Sequence, residues 1–192
     1  MTEQLTLQWV GPFRFFGEDQ VVFDCPESVD SGIYVWTFPH GDGHLVHYVG
    51  ETGRSFRDRF VEHVQWYLSA YYPIYDLEAF VAGQRDPVWE GIVDPSLPNR
   101  VSTLISKHEE LAPKIRKFLG QLRVFLAPTS VEARYRRRIE GAIADHLKGQ
   151  DGLVREMLDI RRYSVRYAEE EPISLVMNWP IRVVGLPDEL SC

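Results

Sequence analysis

The stretch that decides the fold runs over residues 31–63, SGIYVWTFPHGDGHLVHYVGETGRSFRDRFVEH. The segment Gly32–Phe38 is rich in β-branched and aromatic residues, and so is His44–Gly50, which predicts two strands. The segment between them, residues 39–44, has Asp42 and Gly43 at its tip, a pair that is typical of a tight turn. These features predict an antiparallel β-hairpin.

A helix is predicted to follow the hairpin, and Ser55 opens it. Its apolar residues recur every four positions and form one stripe, which indicates that this side packs against the hairpin. Arg59 and His63 are also four residues apart, so they share a helix face beside that stripe. The stripe consists of Phe56, Phe60, Val64 and Leu68.

Two phenols lie in the hairpin, at Tyr34 and Tyr48, on adjacent strands. Both project onto one face of the sheet if their pleat parity agrees. A free tyrosine has a pKa of about 10, so a phenol acts as a base only beside a cation or as a relay of protons. Two interpretations stay open at this point: a catalytic pair, or two half-buried aromatic residues of the hairpin.

The size and composition are those of a globular protein. The 192 residues suit one domain, or one domain with a large insertion, and 44% of them are apolar. The two cysteines, Cys25 and Cys192, lack metal-ligand spacing. No apolar run has the length of a signal peptide or a membrane span, so the sequence predicts a chain of the reducing cytoplasm.

The charge is distributed unevenly along the chain, although its net value is -7. Residues 100–166 contain 15 Lys and Arg against 8 Asp and Glu, a balance of +7, whereas the remainder has a balance of -14. Local potential governs phosphate binding, so an acidic chain can still present one basic face to a nucleic acid. A solvated helix surface is the alternative.

The remaining chain predicts further strands and helices. Residues 6–16 indicate a strand, a bend and a strand, residues 71–100 are irregular with a short helix near Ile74 to Phe80, and residues 101–121 predict a helix broken near Pro113. A strand is predicted at 122–128, and a helix from Thr129 to about Leu147, in which Thr129 is the N-cap and Glu132 its capping-box partner. A short helix at 153–160 and two short strands within 172–185 complete the predicted elements.

The hairpin and helix resemble the GIY-YIG nuclease superfamily. The resemblance rests on Gly32-Ile33-Tyr34, on Tyr48-Val49-Gly50 after thirteen residues, and on Arg59 with His63. It implies an α/β fold of the α+β kind, with a small central antiparallel sheet and a β-hairpin flanked by helices. On this basis residues 1–30 are expected to be an N-terminal strand extension packed on the core. Residues 31–192 then form the nuclease-like domain, with an insertion at about 71–125.

The same resemblance implies a role for each residue of the hairpin and helix. Tyr34 is expected to act as the base or to orient the attacking water, and Tyr48 to hydrogen-bond water or phosphate. Arg59 is expected to bind the scissile phosphate, for which its planar fork is suited. His63 is expected to donate to the phosphate or to the leaving group. The alternatives are a surface ion pair of Arg59 with Asp58 or Glu62, and a structural histidine.

A looser similarity, over residues 137–147, implies that Glu140 binds one Mg²⁺ or Mn²⁺ ion. An ion pair between Arg136 and Glu140 on a solvated helix is the alternative. Asn178 is a further candidate catalytic residue by the same resemblance, with a turn residue as its alternative reading. The chain departs from several family members at Glu51, where they carry a lysine, so a metal-binding role for Glu51 stays open.

The sequence thus predicts a metal-dependent endonuclease that hydrolyses DNA, in a restriction or defence setting, as a homodimer or with a partner protein that selects the target. The alternatives are a non-catalytic nucleic-acid-binding or protein-interaction module on the same fold, and an RNA-directed nuclease. No membrane partner is expected. Contacts to the nucleic-acid backbone are predicted from six arginines: Arg134, Arg136, Arg137, Arg138, Arg161 and Arg162.

Overall fold

The predicted hairpin forms the middle of a five-stranded sheet in the computed structural model, which describes residues 3–92, 100–160 and 163–192. The hairpin strands, β3 (Gly32–His40) and β4 (Gly43–Thr52), are longer than predicted, and β3 pairs antiparallel with both β4 and β7 (Arg123–Pro128). The fold is mixed, with helices on both faces of the sheet, as the α+β expectation requires at this coarse level. The strands, in sheet order, are β2 (Val10–Phe13), β7 (Arg123–Pro128), β3 (Gly32–His40), β4 (Gly43–Thr52) and β9 (Val183–Val184).

A β-bulge interrupts the hairpin at His47. Trp36 pairs with Tyr48 and Thr37 pairs with Val46, so His47 has no partner in the ladder. Its free backbone oxygen accepts a hydrogen bond from the amide of Asp159 at 2.6 Å. The extra residue resets the alternation of side chains, and both His47 and Tyr48 therefore reach the same face of the sheet.

One face of the sheet is covered by two helices, α1 (Phe56–Leu68) and α3 (Arg100–Gln121). Helix α1 begins as predicted, because the Ser55 side chain accepts a hydrogen bond from the amide of Asp58. The predicted apolar stripe is wrong at its end, since Leu68 is 51% exposed and Tyr67 is buried instead. A spacing of four drifts around a helix of 3.6 residues per turn, and the buried face follows the helix.

Helix α3 is continuous, and the predicted break near Pro113 is wrong. Pro113 lies inside the helix but on its exposed side, while Leu111 and Ile115 on the other side are buried. Because proline has no backbone N–H, the carbonyl one turn before Pro113 loses its hydrogen-bond donor. On the exposed side of the helix that carbonyl can bind water. Burial of the apolar side outweighs the local cost of the proline.

Between the two helices the chain leaves the sheet and forms small elements on the same face. The segment predicted as a short helix begins as a strand, and the helix starts three residues later, at Leu77. Strand β7 starts at Arg123, at the end of the expected insertion at about 71–125, and it is the neighbour of β3 in the central sheet. The small elements are β5 (Ile74–Tyr75), α2 (Leu77–Val81) and β6 (Pro87–Trp89).

The opposite face of the central sheet is covered by helix α4 (Ala133–Lys148) and by a second sheet. Helix α4 buries Ile139, Ile143 and Leu147, as predicted, and Ala142 is half-buried. The predicted capping box is wrong, because the N-cap is Glu132 and not Thr129. Thr129 instead accepts a hydrogen bond from the amide of Val131, which makes a local turn before the helix.

The second sheet joins the two ends of the described chain. Its central strand, β8 (Ile173–Asn178), pairs in parallel with β1 (Glu3–Gln8) and antiparallel with β10 (Glu189–Ser191). The N-terminal segment crosses from this sheet to the five-stranded sheet at Trp9, whose ring stacks on Trp179 with centroids 4.1 Å apart. The strands of this sheet are β1 (Glu3–Gln8), β8 (Ile173–Asn178) and β10 (Glu189–Ser191). The short helix α5 (Leu153–Met157) comes before β8 in the chain.

Candidate active site

Tyr34 lies at the centre of the candidate site, in β3, on the face that packs against α1. Its side chain is fully buried, and its ring packs edge-on against Phe60 with centroids 5.0 Å apart. The hydroxyl accepts a hydrogen bond from the Nε of Arg59 at 3.3 Å and lies 3.0 Å from the Nε2 of His63. One phenol oxygen therefore joins the guanidinium and the imidazole that α1 presents on one face.

Gly50 makes room for this phenol. It faces Tyr34 across the hairpin, and a Cβ atom at this position would overlap the Cζ and Oη atoms of the Tyr34 ring. The glycine of the second tripeptide is therefore required by a close approach of a side chain. The two tripeptides of the hairpin thus form a single packing unit.

Tyr48 lies beside Tyr34 on the same face, with ring centroids 6.1 Å apart, and its ring is 5.8 Å from that of His63. It is half-buried. Burial raises the pKa of Tyr48, and the negative charge of Glu140 raises it further, whereas the Arg59 guanidinium lowers it. The Tyr48 hydroxyl is thus under the influence of groups from both α1 and α4.

The Tyr34 phenol is held in its protonated form. Burial raises the pKa of Tyr34 well above its ordinary value, and the proximity of Tyr48 adds to this effect, although the charge of Arg59 opposes it. The desolvation of a phenolate therefore outweighs the help of one cation. At neutral pH this hydroxyl can accept a proton only if it gives up its own.

Arg59 is oriented by three contacts. Besides Tyr34, its Nη1 donates to Glu62 at 3.2 Å, and its guanidinium lies 5.7 Å from the ring centroid of Trp66. Glu62 also forms a bidentate ion pair with Arg54, with both distances 2.7 Å. The surface ion pair and the contact with the phenol thus exist together, and Arg59 keeps a quarter of its side chain exposed, 25%.

His63 bridges two phenols. Its Nε2 faces Tyr34, and its Nδ1 lies 3.3 Å from the hydroxyl of Tyr72, which belongs to the segment before β5. Burial lowers the pKa of His63 to about 3, and the Arg59 guanidinium contributes to this effect. The imidazole is therefore neutral at physiological pH, and it has one donor and one acceptor nitrogen.

Glu140 approaches the phenols from α4. It is half-buried, and burial raises its pKa to about 7, with a further contribution from the Glu51 carboxylate. Arg59 and the backbone amide of Glu51 act in the opposite direction. The charge of Glu140 in turn raises the pKa of both Tyr34 and Tyr48. A carboxyl from the other side of the sheet therefore shares one electrostatic environment with the hairpin phenols.

Glu51 pairs with Arg136, whose Nε donates to it at 3.0 Å, and Arg137 lies at 3.9 Å from its other oxygen. The Nη2 of Arg136 lies over Gly53, where a Cβ atom would come within 2.6 Å of it. The expected alternative pair of Arg136 with Glu140 is not formed. Where several members of the resembled family carry a lysine, this chain thus places an acid that holds an arginine from α4.

Oxygen ligands for a hard divalent cation are present at this position. Glu140 and Glu51 are close enough for the charge of one to raise the pKa of the other, and a cation would relieve this repulsion. Mg²⁺ binds proteins through one or two carboxylates and keeps several waters, so the donor set fits Mg²⁺ or Mn²⁺. Within the described residues no group of three or more His, Cys, Asp or Glu side chains could hold a metal ion.

Several predicted nucleic-acid contacts are placed elsewhere. Arg138 is 3% exposed and donates to the backbone oxygens of Glu171 and Cys192, so it is unavailable to a phosphate, and that prediction is corrected. Arg134 forms a bidentate pair with Glu170, at 2.7 and 2.5 Å. Arg137 has 56% of its side chain exposed and stays accessible. The predicted contacts at Arg161 and Arg162 lie outside the described residues.

Within the described residues, no hydrogen bond, ion pair or ring contact joins Asn178 to the Tyr34 site. It ends β8 in the second sheet with its side chain exposed, and its backbone oxygen accepts from the amide of Trp9.

Tyr72 is the residue that sequence reasoning missed. It lies in an irregular segment without periodicity, and its aromatic neighbours were the only signal.

Comparison of this chain with protein-family models, with curated proteins and with solved structures found no match. In the part of the chain that the structure describes, no helix is both long and apolar enough to cross a membrane.

Proposed function

We propose that this protein is a metal-dependent endonuclease of the GIY-YIG type that hydrolyses DNA phosphodiester bonds. What supports the proposal is the convergence of two phenols, a guanidinium, an imidazole and a carboxyl from four elements of the fold, β3, β4, α1 and α4. Groups of these kinds meet the needs of phosphodiester hydrolysis, which are an oriented water and stabilised phosphoryl charge. The converging residues are Tyr34, Tyr48, Arg59, His63 and Glu140.

In this proposal Arg59 binds the scissile phosphate. Its Nε is engaged by Tyr34 and its Nη1 by Glu62, so the remaining N–H groups of the fork are available to phosphoryl oxygens. Tyr34 orients the attacking water, since the hydroxyl that Arg59 contacts is held beside the bound phosphate. Tyr48, which is half-buried, hydrogen-bonds the water or a second phosphoryl oxygen.

Glu140, with Glu51 beside it, is the proposed holder of Mg²⁺ or Mn²⁺. When bound, the ion neutralises negative charge that develops on the leaving 3′ oxygen. The carboxyl contributes on its own account as well, because its position between α4 and β4 keeps it in reach of both hairpin phenols. The products are a 5′-phosphate and a 3′-hydroxyl.

A restriction or defence nuclease, acting as a homodimer or with a partner that selects the target, remains our proposal for the biological setting. The described part of the segment between α1 and β7 packs on the α1 face and supplies Tyr72 to His63. It is therefore in a position to influence which substrate reaches the pocket.

Cleavage assays test the proposal directly. The purified protein is incubated with supercoiled plasmid, single-stranded DNA and RNA, with Mg²⁺ or with EDTA. We expect DNA cleavage with Mg²⁺ that falls at least about 100-fold in Tyr34→Phe and in Glu140→Gln. The matched controls are Tyr163→Phe, which removes a hydroxyl that donates to Asp145 on a half-buried ring, and Glu110→Gln, which alters an exposed carboxylate paired with Lys114.

Each outcome of the assays has a defined meaning. Cleavage that survives both substitutions rejects the site. Nucleic-acid binding without any cleavage favours a non-catalytic module, and cleavage of RNA alone favours an RNA-directed nuclease.

A further inference from the structure

Three side chains form a continuous hydrogen-bonded chain from the buried phenol to the surface. The hydroxyl of Tyr34 lies 3.0 Å from Nε2 of His63, and Nδ1 of His63 lies 3.3 Å from the hydroxyl of Tyr72. Tyr34 is fully buried, whereas Tyr72 is partly exposed. Both ring nitrogens of His63 are therefore occupied, one toward the candidate site and one toward solvent.

Two neutral tautomers are open to His63 in this position. The Nε of Arg59 donates to the Tyr34 oxygen, and in one tautomer of His63 the Tyr34 hydroxyl donates to Nε2. An acceptor at Nε2 places the ring proton of the neutral imidazole on Nδ1, which then donates to Tyr72. In this arrangement a water that gives its proton to the Tyr34 oxygen replaces Tyr48, which also hydrogen-bonds with Tyr34.

A protonated phenol in this position cannot simply remove a proton from the attacking water. Burial raises the pKa of Tyr34, so a phenolate is not formed beforehand, and His63 does not hold an additional proton because its pKa is lowered to about 3. The proton must therefore pass through both groups and leave at the far end. Among the described residues, the hydrogen-bond partner of His63 at that end is Tyr72.

We propose that Tyr34, His63 and Tyr72 form a proton relay that carries the proton of the attacking water out to solvent, an inference that rests on the proposed endonuclease function. As the water oxygen bonds to phosphorus, its proton passes to Tyr34, the Tyr34 proton passes to Nε2, and the Nδ1 proton passes to Tyr72. Tyr72 releases its own proton to solvent. The electron pair of the P–O3′ bond goes to the 3′ oxygen, which takes up a proton from water.

The relay gives the segment after α1 a chemical role. Tyr72 is packed by rings of α1, with centroid distances of 5.1 Å to Tyr67 and 5.5 Å to Trp66, so its hydroxyl is held toward His63 by rigid neighbours. No charged imidazolium or phenolate has to persist in the buried pocket. The tautomers of His63 re-equilibrate through the same hydrogen bonds after each turnover.

Tyr72→Phe tests the relay, because it removes the hydroxyl and keeps the ring. With plasmid DNA and Mg²⁺ we expect a fall in kcat of about 10- to 100-fold at unchanged KM and unchanged thermal midpoint. Added imidazole buffer should restore part of the rate in this variant as its concentration rises, because a dissolved base replaces the missing acceptor. Tyr71→Phe, the neighbouring tyrosine, is the matched control and should keep the wild-type kcat.

The outcomes separate the relay from the underlying function. Wild-type kcat in Tyr72→Phe, alongside an inactive Tyr34→Phe, overturns the relay and leaves the endonuclease proposal in place. A fall in kcat that buffer does not restore makes Tyr72 a positioning residue only, and this also overturns the relay. Unchanged cleavage in Tyr34→Phe overturns the proposed function itself.

Discussion

The carboxyl of Glu140 loses most of its solvent where α4 meets β4, and Glu51 lies beside it. Burial and this neighbouring charge disfavour the ionised form, so the pKa of Glu140 rises from 4.5 to about 7. A group of this kind costs stability when it ionises in the folded protein. A cation at the same place would remove that cost, so the free energy of unfolding is a measure of the site that does not depend on activity.

The sign of the pH effect follows from the direction of the shift. The folded state keeps the Glu140 proton up to about pH 7, so its favourable contribution is present below pH 4.5 and is lost as the pH rises to and beyond 7. In EDTA we expect Glu140→Gln to match the wild type at pH 5 and to be about 2 kcal/mol more stable at pH 8.5. Urea unfolding at both pH values measures this difference.

Mg²⁺ extends the same experiment. At pH 8.5 it should stabilise the wild type, and it should leave Glu140→Gln unchanged because a neutral amide is a poor ligand. Glu110→Gln, which alters an exposed partner of Lys114, is the control and should show no pH-dependent difference. An identical pH dependence in wild type and Glu140→Gln would exclude the perturbed carboxyl.

At the scale of residues, the sequence could predict which side chains meet only where a motif specified them. Tyr34, Arg59 and His63 were found because their spacing along a hairpin and a helix is local. Tyr72 could not be found in this way, since its contact with His63 depends on how an irregular segment folds back. Arg138 was misjudged because a run of arginines does not show which one points inward.

The hairpin β3–β4 behaves as one element because a side chain of one strand occupies the space over a glycine of the other. In Gly50→Ala the added methyl group would overlap the Tyr34 ring, which has no free volume to move into. We expect a loss of about 2 kcal/mol in the free energy of unfolding and a loss of cleavage. Urea unfolding and the plasmid assay measure the two effects.

Gly120→Ala is the matched control for this substitution. A Cβ atom at Gly120 meets nothing within 4 Å, and the residue lies in α3, so alanine should be neutral or stabilising by up to about 1 kcal/mol. If Gly50→Ala unfolds at the same urea concentration as the wild type, that result contradicts the close approach of the Tyr34 ring to Gly50.

Elements were predictable where their signals were local. The hairpin, the Ser55 cap and the strand before Pro128 agree with the structure because turn residues, capping side chains and β-branched runs act over a few positions. The break at Pro113 and the start of α4 were wrong, since solvent exposure of the proline and a local turn at Thr129 are consequences of the tertiary fold.

For the whole molecule, part of the basic excess of residues 100–166 is neutralised by ion pairs or buried. Arg134 pairs with Glu170, Lys117 with Glu78, and Arg138 is buried on backbone oxygens. Within the described residues of this segment, Arg137 stays exposed next to Glu51 of the candidate site. The segment therefore offers a small basic surface beside the pocket, and its net charge overstates its affinity for phosphates.

This surface gives a prediction for DNA binding. In Arg137→Gln we expect weaker binding of all DNA sequences and a salt dependence whose slope is smaller by about 0.9. Arg182→Gln is the control, because Arg182 has 63% of its side chain exposed but pairs with Asp42 at the opposite end of the hairpin. Fluorescence anisotropy at several salt concentrations measures both, and equal slopes in the two variants would contradict the assignment.

The arrangement of the two sheets was not predictable from the sequence. The parallel pairing of β1 with β8 joins segments from opposite ends of the chain, and the stacking of Trp9 on Trp179 secures the crossing between sheets. Neither contact leaves a periodic or local signal. Single-sequence patterns identify strands, but the partner of each strand depends on the complete core.

The unpaired residue at His47 divides the hairpin into two lengths that can evolve separately. The half that bears the phenols is aligned by its pairing next to Trp36, and the other half ends in the exposed turn at Asp42. The turn can therefore be lengthened, shortened or replaced in evolution, and both phenols would still point to the same face of the sheet. Changes in loop size at the distal tip should therefore leave the positions of Tyr34 and Tyr48 unaltered.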